Sequence, residues 1–225
     1  MKKSLQFVHI GKCGGSTVNS LLDNSPFVQN NYSNYFESHI NGVNTISSCD
    51  YLFVLRNPIR RAFSAFEWRK KLVIDDKNPE QQGRFSGEQE VLKKYISLGN
   101  MARLLYRSDG SLDQKVARDF NLIHHLRESI HFYINPLVSI LSTENILGVI
   151  CQELLAEDCS RILGVDATNL FCRRNDSKTS IHSDLDVLSV ANLRRFLFED
   201  YQCIIKLWSL GAISNKQLSA LLDES

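Results

Sequence analysis

The sequence predicts an α/β domain with a central, mostly parallel sheet that is flanked by helices. Three apolar segments, residues 5–10, 51–55 and 145–150, have the length and the β-branched and aromatic content of buried strands. Helical patterns separate them, and strands that alternate with helices indicate a parallel sheet with helices on both faces. A chain of 225 residues suits one hydrophobic core, so we predict a single domain over residues 1–225.

Turn and cap residues place the remaining elements. A helix is predicted to begin near Thr17, after the glycine-rich turn that ends the first strand. Pro58 suits the first turn of a second helix, which continues through Leu72. Polar residues with two glycines and a proline predict a long surface loop over residues 75–89. Further helices are predicted within residues 88–126, with a break at 108–111, and over residues 153–163 and 187–210.

Composition and charge limit the classes of partner. The 26 basic and 25 acidic residues give a formal charge of +1, so the chain has no general attraction for nucleic acid or anionic lipid. We therefore predict no nucleic-acid partner, and any bound anion must be held by a local cluster of charges. The sequence contains no run of the ~20 apolar residues that a spanning helix needs, so we predict no membrane span.

The cysteines indicate neither a disulfide framework nor a zinc site. None of the six forms a C-x-x-C pair, and the chain is much longer than small disulfide-stapled domains. We expect reduced thiols and no metal ligands at positions 13, 49, 151, 159, 172 and 203.

The turn after the first strand has the composition of an anion site. Unpaired N–H groups at a helix start can surround a phosphate where glycines let the backbone approach closely. Lys12 adds a charge, and Ser16 and Thr17 add hydroxyl donors. The turn is not a Walker A loop, because Cys13 stands where Ser or Thr is required and Gln6 where Gly is required. A tight solvated turn is the alternative interpretation of this segment taken alone.

A second basic segment follows the second strand. Arg56 leaves the carboxyl end of a predicted parallel strand, where α/β folds bind their ligands. Ser64 lies two turns into the following helix. The side chains of Arg56 and Ser64 can bind one phosphate from two sides. The alternative is a solvated helix start with Arg56, Arg60 and Arg61. Cations are unfavourable at a helix N-terminus, so a bound anion explains three arginines better.

Together these segments resemble the phosphosulfate loop and the 3′-phosphate motif of the carbohydrate sulfotransferases that use 3′-phosphoadenosine-5′-phosphosulfate (PAPS). The similarity is greatest to the branch that contains heparan sulfate 2-O-sulfotransferase, with its Pro-Lys-Thr-Gly-Gly-Thr loop and its Arg-Asp-Pro…Arg…Ser pattern. Later segments extend the resemblance over nearly the whole chain, although only these two motifs are specific. The chain departs from the family at Gly11 for Pro, Cys13 for Thr and Asn57 for Asp.

The resemblance implies a P-loop-like sulfotransferase fold and transfer of the sulfuryl group of PAPS to a hydroxyl, without a metal. The product would be 3′-phosphoadenosine-5′-phosphate (PAP). Lys12 is the candidate for stabilising the leaving oxygen, and a simple ground-state anchor for the phosphate is its alternative role. Arg174 and Lys178 lie in a segment similar to the family's late loop over the nucleotide, and an ordinary solvated loop is its alternative. The implied donor-binding residues are Lys12, Cys13, Gly14, Gly15, Ser16, Thr17, Arg56, Ser64, Arg174 and Lys178.

For the catalytic base we favour His39, since imidazole titrates near working pH and the branch resembled here uses a histidine between its two motifs. Glu37 is the second candidate, and an incidental surface histidine is the alternative for His39. We expect His9 to be structural. His124, His125 and His131 are expected to be surface or packing residues.

Three further expectations concern context. Cys13, at a helix start beside Lys12, is expected to have a lowered pKa and to be prone to oxidation. The acceptor is expected to be a glycan, a glycolipid or a small hydroxyl-bearing molecule, chosen by residues 65–135. Because the first motif begins near Met1, we expect a cytoplasmic, bacterial enzyme. The competing hypotheses are a kinase-like nucleotide-binding protein and a PAPS-binding scaffold without turnover.

Overall fold

A four-stranded sheet lies at the centre of the molecule. The computed structural model describes residues 2–39, 43, 46, 48–166 and 181–223. In these ranges the strands are β1 Ser4–His9, β2 Tyr35–Ser38, β3 Cys49–Leu55 and β4 Ile146–Cys151. They are all parallel and follow the order β2-β1-β3-β4. This confirms the predicted α/β class and the parallel sheet.

The sequence did not predict β2, because this strand is short and only partly buried. It has four residues, and Glu37 on it is exposed to solvent. In contrast, Phe7 on β1 and Phe53 on β3 are fully buried. Apolar runs identify strands that are covered on both faces, whereas β2 carries no such run.

Helices cover the sheet and continue into a second cluster of apolar residues, which centres on the helices Pro58–Lys70, Glu88–Tyr95 and Leu98–Arg103. No helix in the described ranges is both long enough and apolar enough to cross a membrane. The helices are α1 Gly15–Leu22, α2 Pro26–Asn31, α3 Pro58–Lys70, α4 Pro79–Gln82, α5 Glu88–Tyr95, α6 Leu98–Arg103, α7 Gln114–Phe120, α8 Ile130–Ile134, α9 Leu155–Leu163, α10 Ile181–Asp184, α11 Val187–Phe196, α12 Phe198–Ser209 and α13 Asn215–Leu222.

The predicted long loop over residues 75–89 is only partly correct, because residues 76–78 and 83–87 are non-helical but a short helix lies between them. A π-helical turn, Lys71–Asp75, extends α3, and α4 forms in the middle of the segment because the Asn78 side chain accepts the N–H of Gln81. A buried ion pair fixes the end of the segment: Arg69 donates to both carboxylate oxygens of Glu88, at 2.9 and 2.6 Å. The polar segment 75–89 is therefore held against α3, the helix that carries Arg69, the buried partner of Glu88.

One other prediction is refined, and the placement of Pro58 in the first turn of a helix is confirmed. The predicted helix over residues 187–210 is divided at Leu197 into α11 and α12. Asn57 caps α3 as a side-chain acceptor for the N–H of Arg60, and Pro58 follows as the first helical residue. Its amide also donates to the carbonyl oxygens of Leu221 and Asp223, a contact that an aspartate could not make.

Candidate functional site

The sequence motifs meet at the carboxyl edge of the sheet. After β1, the chain forms β2 on one side of β1 and then β3 on the other side of β1. Such a reversal opens a crevice between the loops that follow the two strands, where ligands of α/β proteins bind. The first of these loops, residues 10–14, is called the β1 loop below. Arg56 directly follows β3.

The start of α1 offers unpaired backbone donors to this crevice. Gly14 caps the helix with a left-handed backbone, φ 86°, and Lys12 also has a positive φ of 69°. Among the described residues, the N–H groups of Gly15 and Ser16 have no acceptor, whereas the N–H of Thr17 donates to the Gly14 carbonyl oxygen. Free N–H groups at the positive end of a helix favour an anion.

Lys12 and Arg56 bring two positive charges together in the crevice. Arg56 Nη1 donates to the Lys12 carbonyl oxygen at 3.3 Å, and its Nε is buried without a partner. Burial, and then the charge of Arg56, lower the pKa of Lys12 to about 8, and burial lowers the pKa of Arg56. Neither side chain forms an ion pair with a carboxylate in the part of the chain that is described. Cys13 and Glu153 raise the pKa of Arg56 against the effect of burial, but neither forms an ion pair with it in the described chain, and two cations this close favour an anion beside them.

The remaining basic residues of this segment have different roles. Arg61 is buried, and it donates to the carbonyl oxygens of Gly11 at 3.0 Å, His125 at 2.7 Å and Glu128. The expectation that a bound anion explains all three arginines is therefore wrong for Arg61, which binds backbone instead. Ser64 lies half-buried on α3. Arg174 and Lys178 lie outside the described residues.

Cys13 is a core residue rather than a reactive one. Its side chain is fully buried, and its N–H donates to the Ile10 carbonyl oxygen at 3.3 Å. Burial raises the pKa of the thiol to about 12, which is opposite to the lowering that its position in sequence predicted. Neither the thiol nor the N–H of Cys13 is therefore available to a ligand, and the predicted sensitivity to oxidation is not supported.

His39 has the tautomer that a general base requires. Its Nδ1 lies 2.7 Å from the His9 carbonyl oxygen, which can only accept, so Nδ1 carries the proton. Nε2 therefore carries the lone pair. The ring is half-buried and stacks on the His9 ring, with centroids 4.1 Å apart.

Glu37 is engaged elsewhere. Its Oε1 accepts a hydrogen bond from His9 Nδ1, which anchors the histidine whose carbonyl group orients His39. Burial lowers the pKa of His9 despite this carboxylate neighbour. Of the two candidate bases, His39 keeps its Nε2 outside these hydrogen bonds, whereas Glu37 has one carboxylate oxygen bound to His9.

Two residues of the site could not be recognised from sequence. Trp68 on α3 lies under the Lys12 ammonium, with Nζ 4.6 Å from the ring centroid. His125 lies beside it, with ring centroids 5.2 Å apart, and its ring is also 5.7 Å from that of His39. The only sequence signal was a pair of adjacent histidines, which is too common to indicate a site.

Among the residues that the structure describes, two clusters have donor atoms close enough to surround a metal ion, within 4.8 Å of one another. In the first, His9 Nδ1 binds Glu37 and His39 Nδ1 binds backbone. The second joins His124 and His125 to Glu128, whose carboxylate accepts from the His124 ring, from the backbone N–H of His125 and from Arg127. Hydrogen bonds therefore account for the first cluster and for His124 and Glu128 in the second, whereas Nδ1 of the His125 ring has no partner. The absence of a metal from the reaction stays a prediction.

A separate cleft of about 580 Å³ opens between α8 and α12. Phe132, His131 and Asp200 contribute to its lining, and the lining includes none of the candidate donor or catalytic residues. The candidate site at the sheet edge is thus distinct from this cleft.

Comparisons with known proteins identify no relative. No family model, no curated protein and no solved structure matches the chain. The residues of the crevice are therefore the basis for inferring a function.

Proposed function

We propose that the protein transfers the sulfuryl group of PAPS to a hydroxyl of a glycan, a glycolipid or a small molecule. One observation carries the proposal: Lys12 and Arg56 lie side by side without a carboxylate partner in the described chain, next to the free N–H groups of α1. PAPS is an anion with two phosphate positions, and the crevice offers positive groups from two loops.

The donor groups divide between these loops. The N–H groups of Gly15 and Ser16 and the Lys12 ammonium would bind the 5′-phosphosulfate. Arg56, with Ser64 and with Arg174 and Lys178 as further candidates, would bind the 3′-phosphate. Two features agree with a P-loop-like sulfotransferase fold: the β1 loop of the parallel sheet leads into α1, and β3 ends directly before Arg56.

The reaction is an in-line displacement. The acceptor hydroxyl gives its proton to His39 Nε2 as its oxygen bonds to sulfur. The bond between sulfur and the bridging oxygen breaks, and its electron pair stays on the phosphate of PAP. Lys12 stabilises the charge that develops on that oxygen. The His9 carbonyl oxygen, 2.7 Å from His39 Nδ1, favours the imidazolium that forms.

Calorimetric titration of PAP tests the donor site. We expect micromolar binding by the wild type and much weaker binding of ATP. Arg56→Ala should weaken PAP binding about 10- to 100-fold, because a charge-assisted hydrogen bond to phosphate is lost. Arg103→Ala is the matched control, because Arg103 is exposed and pairs with Asp186 at 3.0 Å on another face.

Two results would favour the competing hypotheses. Equal or tighter binding of ATP would indicate a kinase-like nucleotide-binding protein. Binding of PAP without consumption of PAPS for any acceptor, water included, would indicate a scaffold. Absence of binding for both nucleotides would contradict a donor site of either kind.

A further inference from the structure

His125 is held in an unusual conformation beside the β1 loop. Its backbone is left-handed, with φ 68°, which a residue with a side chain rarely adopts. Two contacts fix it there: Arg61 Nη2 donates to its carbonyl oxygen at 2.7 Å, and its N–H donates to Glu128 at 2.7 Å. Because Arg61 also binds the Gly11 carbonyl oxygen, one guanidinium ties His125 to the β1 loop.

The imidazole of His125 is buried and incompletely bonded. The residue is 5% exposed, and its Nδ1 has no hydrogen-bond partner. This nitrogen packs against Gly11, where an added Cβ would lie only 2.3 Å away. A buried N–H without an acceptor is rarer than a bare lone pair, so the ring proton belongs on Nε2. Gly11, which replaces the proline of the resembled family, leaves the room that this ring occupies.

The ring lies close to the two groups that the proposed reaction needs. The centroid of Trp68, which carries the Lys12 ammonium on its face, is 5.2 Å away, and that of His39 is 5.7 Å away. The His124 ring stacks on it at 3.9 Å. In the proposed reaction the sulfuryl group passes from the leaving oxygen near Lys12 to an acceptor near His39, so His125 neighbours the groups at both ends of the transfer.

We propose that His125 is a further catalytic residue, a neutral imidazole whose Nε2–H donates a hydrogen bond to an oxygen of the sulfuryl group during transfer. This inference rests on the proposed function. His39 takes the acceptor proton and the PAP oxygen keeps the electron pair, so His125 neither gains nor loses a proton. It stabilises the charge on the sulfuryl oxygens as the bond to the acceptor forms and the bond to the phosphate breaks.

The surroundings of His125 keep it neutral. Burial is the main cause, and the positive or ionisable groups that face the ring act in the same direction, so that the pKa falls to about 2. A protonated His125 would add a third cation to Lys12 and Arg56. A neutral His125 instead supplies an N–H that can donate a hydrogen bond. The groups that face it are His124, Arg61, His39 and Lys12.

His125→Asn tests this role in the full chain. Asparagine tolerates a left-handed backbone, but its shorter side chain does not reach the position of Nε2. The rate of PAP formation from PAPS, with water as the acceptor, should fall about 100-fold or more, as for loss of one transition-state donor. The Kd for PAP should change less than about threefold, because the contact is made in the transition state. His131→Asn, on α8 beside Glu199, is the control and should leave both values unchanged.

The outcomes separate the two proposals. A wild type that neither binds PAP nor consumes PAPS rejects the proposed function. An active wild type with an equally active His125→Asn variant rejects only the role of His125, and so does a parallel loss of PAP binding and turnover. His125→Gly suits the same backbone and provides a second test. Added imidazole should restore part of its turnover, and no restoration would count against the proposal.

Discussion

At the scale of single residues, the glycines of the site are explained by the rings beside them. Gly11 leaves space for His125, and Gly15 leaves space for His9. The placement of Lys12 and Arg56 in the site was predictable from sequence, because a lysine beside glycines and an arginine at the end of a strand are local patterns. Trp68 and His125 were not predictable, since long-range contacts such as those of Arg61 bring them to the crevice.

Gly15→Ala tests the contact with His9. The new Cβ would lie 1.9 Å from the His9 ring, so the ring and the start of α1 must move apart. We expect a loss of about 1–3 kcal/mol in the free energy of unfolding, measured with denaturant, together with weaker PAP binding.

Gly83→Ala is the matched control, because an added Cβ there has no neighbour within 4 Å. Its free energy of unfolding should stay within about 0.5 kcal/mol of the wild type. If both alanine variants were equally stable, the close packing of His9 under α1 would be contradicted.

At the scale of elements, β1 and β3 were predictable because strands buried on both faces are continuous apolar runs. The strand β2 lacks that signal, and the segment over residues 75–89 has a polar sequence whose order comes from tertiary contacts. Arg69 and Glu88 have side chains that are 0% and 1% exposed, and Glu88 also accepts the N–H of His124 at 2.8 Å. This ion pair therefore joins α3 and α5 to the segment that carries His125.

Glu88→Ala should be strongly destabilising. It leaves the buried Arg69 guanidinium without a counter-charge, which typically costs about 3–5 kcal/mol in the free energy of unfolding. Glu157→Ala removes one partner of the exposed pair with Lys216, and it should cost less than about 1 kcal/mol. Similar midpoints of denaturant unfolding for the two variants would mean that the pair with Arg69 does not anchor this segment.

At the scale of the whole molecule, strand order decides where the motifs meet. The order β2-β1-β3-β4 brings the β1 loop next to Arg56, and β2 delivers His39 to the same edge. The class of fold and its parallel sheet were predictable from alternating strands and helices. The tautomer of His39 and the pairing of Glu37 with His9 were not, because they depend on the registration of β2 against β1.

The formation of PAP from PAPS by the wild type and by His39→Asn is the most direct measurement of sulfuryl transfer. The wild type should consume PAPS, and the variant should be slower by about 100-fold or more while it still binds PAP, because it lacks the proposed base for the acceptor proton. Equal turnover by the two proteins, or no consumption of PAPS by the wild type with any hydroxyl acceptor, would contradict a sulfotransferase that uses His39.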